Sequence, residues 1–321
     1  MIDGGQSQPA GILVGFLADA LLGDPRRGHP VAGFGWCATR VETLTYRDDR
    51  VAGAVHTALL VGGVTGAAIL ARGSVRSRWG RAGLTAAATW VALGGTSLAR
   101  TGFAMSDLLE AGDIDAARAL LPSLCGRDPA VLDSAGLARA ACESMAENTS
   151  DAQVAPLFWA ALAGMPGVLA YRAINTLDAM IGNRSARYAR FGWAAARLDD
   201  VANYLPARLT GALTLACAPL IGGSPGRAVE AWRRDSARHP SPNAGIPEAT
   251  FAGALGVRLG GPTQYRYQLE IRPTLGEGRA PVPADLRRAV RLSRLVQIGA
   301  LAVALVISAT MPRVGDQRRR P

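Results

Sequence analysis

Ala141-Cys142-Glu143-Ser144-Met145-Ala146-Glu147-Asn148-Thr149-Ser150-Asp151-Ala152-Gln153-Val154-Ala155-Pro156-Leu157 is the stretch on which the reading of this chain turns. Glu143, Glu147 and Asp151 stand four residues apart, and the chain then enters an apolar run. On a helix that spacing drifts by only about 40° per step, so the three carboxylates share one face. Like charges at i,i+4 repel unless something positive sits between them. A metal ion, a metal–nucleotide complex or an arginine cluster would supply that charge. Acids at a membrane boundary mark sites more often than decoration. The competing reading is a solvated helix face with arginine partners such as Arg139.

Working outward, several segments have the length and apolarity of a bilayer span. Residues 51–71 carry no formal charge if His56 is neutral, and 82–99 follow after a basic loop with Arg72, Arg76, Arg78 and Arg81. Those two read as a helical hairpin. Residues 294–311 have a clean apolar body, and 10–22 form a marginal span containing Asp19. Two stretches read either as spans or as broken elements packed against protein: 152–170, with Pro156 and Pro166, and 205–223, with Pro206, Arg208 and Pro219. A buried core helix is the alternative for each. Orientation stays open, because the arginine tail and the basic loop at 72–81 both favour the cytoplasm while the acid-rich region 100–151 lies one span from that loop.

Polar stretches between these segments look folded. Residues 107–121 and 133–151 read as helices, the second with Asp133 as N-cap. Residues 238–262 are rich in Pro and Gly and read as largely loop. No strand pattern persists. The expected class is all-α: a polytopic, multi-pass helical membrane protein with a polar site at the membrane boundary. A single domain over 1–312 is expected, with a basic tail at 313–321.

Composition bounds the chemistry. The chain has 321 residues, 49% of them hydrophobic, and a mean hydropathy of +0.14. All 35 Lys+Arg residues are arginine, which excludes a P-loop lysine, a Schiff-base lysine and a lysine base. The net charge of +10 is spread along the chain, with many arginines flanking apolar segments, so no nucleic-acid partner is expected. No pair among Cys37, Cys125, Cys142 and Cys217 has metal-ligand spacing, and His29, His56 and His239 lie far apart. The first nine residues lack the basic start of a cleavable leader.

Four further constellations carry chemistry. Arg172, Asn175 and Asp178 recur at i, i+3 and i+6, and Arg184, Arg187, Tyr188 and Arg190 follow; such arginine density suits phosphate clamping or a basic membrane-flanking face. Arg197, Asp199, Asp200, Asn203 and Arg208 form another group, whose Asp-Asp pair needs a metal or an arginine when buried. His239, Ser241 and Asn243 sit among prolines ahead of Gly245 and Glu248. Asp24, Pro25, His29 and Pro30 follow the first apolar run and read as a helix stop or a turn.

Taken together, these blocks resemble the CobD/CbiB family of cobalamin-biosynthesis membrane proteins, the adenosylcobinamide-phosphate synthases. The resembling blocks are Gly-Asp-Pro and His-Pro-Val within 23–31, Gly-Arg-Asp at 126–128, Glu-Ser-Met-Ala-Glu-Asn-Thr-Ser-Asp at 143–151 and Ala-Pro-Leu-Phe-Trp at 155–159. Tyr-Arg-Ala-Ile-Asn-Thr-Leu-Asp at 171–178, Arg-Tyr-Ala-Arg-Phe-Gly-Trp at 187–193 and Ala-Arg-Leu-Asp-Asp-Val-Ala-Asn at 196–203 follow. Pro-Ala-Arg at 206–208 and His-Pro-Ser-Pro-Asn-Ala-Gly at 239–245 complete the ordered set. The departures are Ala152-Gln153, where a glycine is commoner in the family, and the tail after Pro312.

The resemblance implies a bacterial cytoplasmic-membrane ligase. It would join adenosylcobyric acid to (R)-1-aminopropan-2-ol or its O-phosphate, driven by ATP and magnesium, with the corrinoid as substrate. It also admits other cobalamin-pathway membrane enzymes as partners. On this reading Glu143, Glu147, Asp199 and Asp200 are candidates for catalysis. Glu143, Glu147, Asp151, Asp199 and Asp200 are candidates for magnesium. Arg172, Asn175, Asp178, Arg187, Arg190, Arg197, Asn203, Arg208, His239, Ser241 and Asn243 are candidates for substrate binding. Two alternatives remain: a UbiA-like intramembrane transferase, with 143–151 and 199–203 as its two acidic motifs, and a transporter using the acids as an ion pathway.

Overall fold

The chain was described from a computed structural model covering residues 7–25, 28–264 and 269–310; Arg26, Arg27 and the basic tail lie outside the described residues. Its helices in chain order are α1 (Ser7–Leu22), α2 (Pro30–Thr45), α3 (Arg50–Ser74), α4 (Arg78–Ala92), α5 (Gly95–Glu110), α6 (Ile114–Leu120) and α7 (Ser134–Thr149). There follow α8 (Ala155–Ile181), α9 (Trp193–Ala202), α10 (Tyr204–Cys217), α11 (Pro225–Asp235), α12 (Gly245–Leu255) and α13 (Pro283–Thr310). Strands β1 (Leu259–Gln264) and β2 (Leu269–Leu275) pair antiparallel between α12 and α13. The described residues form two compact units, one from 7–93, 156–195 and 301–310, the other from 94–155 and 196–300.

Among the described residues, four helical stretches are long and apolar enough to cross a membrane: Arg50–Ser74, Ser134–Ile181, Tyr204–Ile221 and Pro283–Thr310. In α3 the side chains of Val51, Val55, Leu59, Ile69 and Leu70 are exposed, as lipid-facing residues are. The expected span at 82–99 is not one helix: α4 ends at Ala92, and Gly94 separates it from α5. The expected pairing of 51–71 with 82–99 is also displaced, because α4 packs closely on α1. Gly11 and Gly15 make that approach possible. A Cβ on Gly11 would stand 2.7 Å from the Ala82 carbonyl, and one on Gly15 would stand 2.6 Å from that of Ala86. Small residues four apart let backbones meet where lipid gives helices no hydrophobic reason to associate.

Other sequence expectations shift by their local chemistry. The helix expected over 107–121 is interrupted at Gly112, whose φ of 75° breaks it, and Asp113 caps α6 through the Ala116 N–H. The stretch at 152–170, read either as a span or as a broken element, continues α7 through a π-helical turn, Ser150–Val154, and then kinks inside α8 at Gly164. With φ 64° and ψ −148°, that position is one only glycine adopts freely. Residues 238–262 are not largely loop. The stretch from Gly245 to Leu255 forms α12, every residue of it buried. Its Pro and Gly composition hid the helix: Pro247 lies in the first turn, where proline is tolerated, and small residues all round fit a fully enclosed position.

Candidate functional site

The centre of the second unit is polar. Glu143 on α7 is 1% exposed, and both carboxylate oxygens are engaged. Arg127, itself buried, donates to Oε2, and the Gly260 N–H donates to Oε1 at 2.7 Å. Arg139, one turn earlier on α7, holds its Nε at 4.0 Å and uses its other nitrogens to grip the carbonyls of Gly260 and Pro262. Gly260 sits at the bulge where β1 meets β2, with φ 78°, and a Cβ there would lie 2.0 Å from the Pro273 carbonyl. Only glycine can aim that N–H at Glu143. Burial works against the charge on Arg127, but Glu143 more than restores it and leaves the guanidinium firmly protonated.

Next to this pair lies a second, unsatisfied one. Glu248 on α12 is 1% exposed, and neither of its oxygens has a hydrogen bond. His239 Nε2 stands 3.6 Å from Oε1, also without a hydrogen bond, and Arg272 of β2 stands 3.7 Å away. Burial pushes the Glu248 carboxyl well above the usual carboxylate range, and the negative charges of Glu143 and Glu147 add to this; Arg272 and Arg127 offset part of it. Burial lowers the His239 imidazole to about 4, with Arg272 pressing the same way. The His239 Nδ1 accepts the Ser241 N–H at 3.0 Å, which leaves the proton of the neutral ring on Nε2, facing Glu248. A buried carboxyl and a buried imidazole, each shifted towards its neutral form, thus face one another without a hydrogen bond between them.

The expected residues of 197–208 and 239–243 meet in this same unit. Asn243 donates to the Asp200 carbonyl at 2.7 Å, and Arg208 donates to the Asn243 side-chain oxygen at 3.1 Å. The Ser241 hydroxyl accepts the N–H groups of Asn243 and Ala244. Asn203 holds Asp199 at 2.9 Å, and Arg197 holds Asp200 at 3.0 Å. The two aspartates are therefore separately partnered. On α7 the carboxylate stripe is split: Glu143 is buried in its ion pair, Glu147 is exposed, and Asp151 is half-buried in the π-helical turn. A π turn holds more residues than an α turn, so Asp151 is not placed by the four-residue rule. Among the described residues, no three of His, Cys, Asp and Glu gather closely enough to hold a metal ion.

Arg172, Asn175, Asp178, Arg187 and Arg190 belong to the first unit. Arg172 hydrogen-bonds Asn175 at 3.3 Å and lines an apolar cavity of about 170 Å³ with Phe34, Val64 and Leu169. Arg187 is already committed: it binds the buried Glu42 at 2.8 Å and lies over the Tyr46 ring at 4.1 Å. Arg190 pairs loosely with Asp48 at 3.8 Å. In the loop before α2, His29 caps that helix by accepting the Val31 N–H.

The chain is similar to known proteins over nearly its whole length. The family model described as CobD/Cbib protein matches residues 12–293. The chain belongs to the CobD/CbiB family. A relative from Mycobacterium tuberculosis (strain CDC 1551 / Oshkosh), named cobalamin biosynthesis protein CobD, is 64% identical over 304 residues, covering 94% of this chain and 96% of that protein. Proteins of the same name from Pelobacter propionicus and Rhodobacter capsulatus are 41% and 40% identical, covering 95% and 92% of this chain and 96% of each relative. No solved structure matches.

Within this CobD/CbiB chain, the structure adds Glu248, Arg127 and Arg272, which the sequence reading did not name as candidates. The first two fell inside quoted blocks, Gly-Arg-Asp at 126–128 and the run after His239. The signal for Glu248 was a lone acid in an otherwise small and apolar stretch, Gly245 to Leu255. Arg272 gave no signal, since its strand was not foreseen.

Proposed function

We propose that this protein acts in cobalamin biosynthesis as the ligase that joins adenosylcobyric acid to aminopropanol or its O-phosphate. Family membership supports the pathway, and the observation that carries the chemistry is the buried Glu248 carboxyl, unbonded beside His239. Amide formation begins from an ammonium, which must lose a proton before it can attack. Glu248, in its ionised form, takes that proton, its raised pKa making it a stronger base than an ordinary carboxylate. His239 faces Glu248 from Nε2 at 3.6 Å while the Ser241 N–H fixes the ring. The charges of Arg127 and Arg272 reach Glu248 and would offset the negative charge that develops on the reacting carbonyl oxygen beside it.

ATP with magnesium would supply the activation of the corrinoid carboxylate as an acyl phosphate, with ADP released; the amine then attacks the acyl carbon and phosphate leaves. The residues fit a magnesium ion delivered on phosphates, which needs one or two carboxylates and keeps several waters. Glu147 is exposed and makes no ion pair or hydrogen bond among the described residues, so it would hold such an ion. Glu143 is ill-suited, because Arg127 and the Gly260 N–H occupy it. Arg139 and Arg258 flank a cavity of about 380 Å³ over the start of α7, where phosphates would meet two guanidinium groups.

The test is purified protein in detergent with adenosylcobyric acid, aminopropanol phosphate, magnesium and ATP, read by the mass of the corrinoid. Amidated product is expected, absent without ATP and reduced about 10²–10⁴-fold by Glu248→Gln. Product formed at the native rate by that variant would remove Glu248 from the mechanism. No product from folded protein with intact substrates would remove the ligase reading.

A further inference from the structure

Helix α13 changes character at Arg294. Its first part carries Arg287, Arg288, Arg291 and Arg294, and the 295–310 run that follows has no formal charge. The helix is long and apolar enough to cross a membrane, so this change marks a water–lipid boundary. At that level, within the second unit, a cavity of about 440 Å³ opens between Phe103, Leu220, Ile221, Ile298 and the three arginines 288, 291 and 294.

The three arginines do not have equal roles. Arg288 lines the cavity but is tied to the Leu255 carbonyl at 3.1 Å. Arg291 is exposed and Arg294 half-buried, and neither makes a hydrogen bond or ion pair among the described residues. Arg288 is also paired with Asp285 at 3.4 Å, whereas Arg291 and Arg294, three residues apart on one side of the helix, repel one another without an anion. The walls are apolar and open: Leu220 is 70% exposed and Ile298 is 55% exposed. A free phosphate would gain nothing from those walls, whereas a molecule with a phosphate head and acyl tails would satisfy both halves.

We propose that this cavity is a binding site for an anionic phospholipid, with the headgroup phosphate on Arg291 and Arg294 and an acyl chain along Leu220 and Ile298. Basic pockets between spanning helices at the membrane surface bind acidic headgroups by this combination. The site is separate from Glu143, Glu248 and His239, and it does not depend on the ligase reading.

The experiment is native mass spectrometry of the full-length protein in detergent, titrated with dioleoylphosphatidylglycerol or dioleoylphosphatidylcholine. The phosphatidylglycerol adduct should form at lower lipid concentration than the phosphatidylcholine adduct. Arg291→Gln with Arg294→Gln should weaken the phosphatidylglycerol adduct about 30-fold, roughly five-fold per arginine, and leave phosphatidylcholine unchanged. Neither side chain has a partner to lose, so the fold should survive; the Arg291→Lys, Arg294→Lys variant keeps the charge and should keep most of the preference. Equal binding of the two lipids, or an unchanged adduct in the glutamine variant, overturns the proposal. Displacement of phosphatidylglycerol by millimolar inorganic phosphate also overturns it, by assigning the arginines to a soluble anion.

Discussion

Replacing Arg127 with Met tests what neutralises Glu143. The guanidinium and the carboxylate are 7% and 1% exposed, so the variant leaves a buried carboxylate with one N–H donor, from Gly260, and Arg139 at 4.0 Å. Breaking a buried ion pair on one side costs roughly 3–5 kcal/mol. The surviving donor and the nearby arginine place the loss at the low end, about 3 kcal/mol. At roughly 2 °C per kcal/mol for a chain of this size, thermal unfolding in detergent should fall by about 6 °C. Adding Glu143→Gln removes the stranded charge yet keeps an oxygen for the Gly260 N–H, so the double variant should recover more than half of that loss. A single variant as stable as the native protein would refute the pairing argument, as would a double variant no better than the single. If magnesium alone restored the single variant, Glu143 would be the metal ligand that its spacing suggested.

Three further outcomes follow from the same geometry. His239 binds its proton at about 4 when folded and near 6.5 when unfolded, so its contribution is present above about 6.5 and is lost as pH falls towards 4, by up to about 3 kcal/mol. Glu248 acts with the opposite sign: its folded pKa is raised, so its contribution is present below the ordinary value of 4.5 and is lost as pH rises through the folded one. Glu248→Gln should therefore steepen the acid-side loss of stability between pH 6.5 and 4 and His239→Gln should flatten it, as read by chemical denaturation at stepped pH; unchanged slopes in both would sink the assignment. Gly15→Val should lower thermal stability by several degrees, because its Cβ would meet the Ala86 carbonyl at 2.6 Å, while Gly62→Val, with open space around it, should not. Asn243→Ala should cost about 1–3 kcal/mol, since it strips a partner from both the Asp200 carbonyl and Arg208; a neutral result would show that the 197–208 and 239–245 segments do not depend on each other.

Much of the architecture was legible because it depends on local chemistry. The run at 51–71 is long and apolar enough to span for want of any charge, and α7 begins where Asp133 can accept the Gly136 N–H. The convergence of Asp200, Arg208, Ser241 and Asn243 was suggested only as two separate polar groups, because hydrogen bonds between residues 35 and 43 apart leave no periodic trace. The β1–β2 hairpin escaped notice because Gly260, Gly261 and Pro262 carry no alternation of apolar and polar residues. Helix α12 escaped for a related reason: its residues are mostly small or apolar and buried on all sides, so there is no amphipathic stripe to read.

By itself the sequence determined the helical class, the main spans and the family, since hydropathy over some twenty residues and ordered motifs survive without tertiary context. Tertiary structure alone decided which charges oppose one another. Three acids at a four-residue spacing read as one cluster, yet Glu143 is held by Arg127 from a preceding loop and by the Gly260 backbone from a later strand. Glu248, a single acid in an apolar stretch, became the unsatisfied group. Burial and the charges brought by distant segments set the state of a carboxyl group, and neither is encoded in its neighbours along the chain.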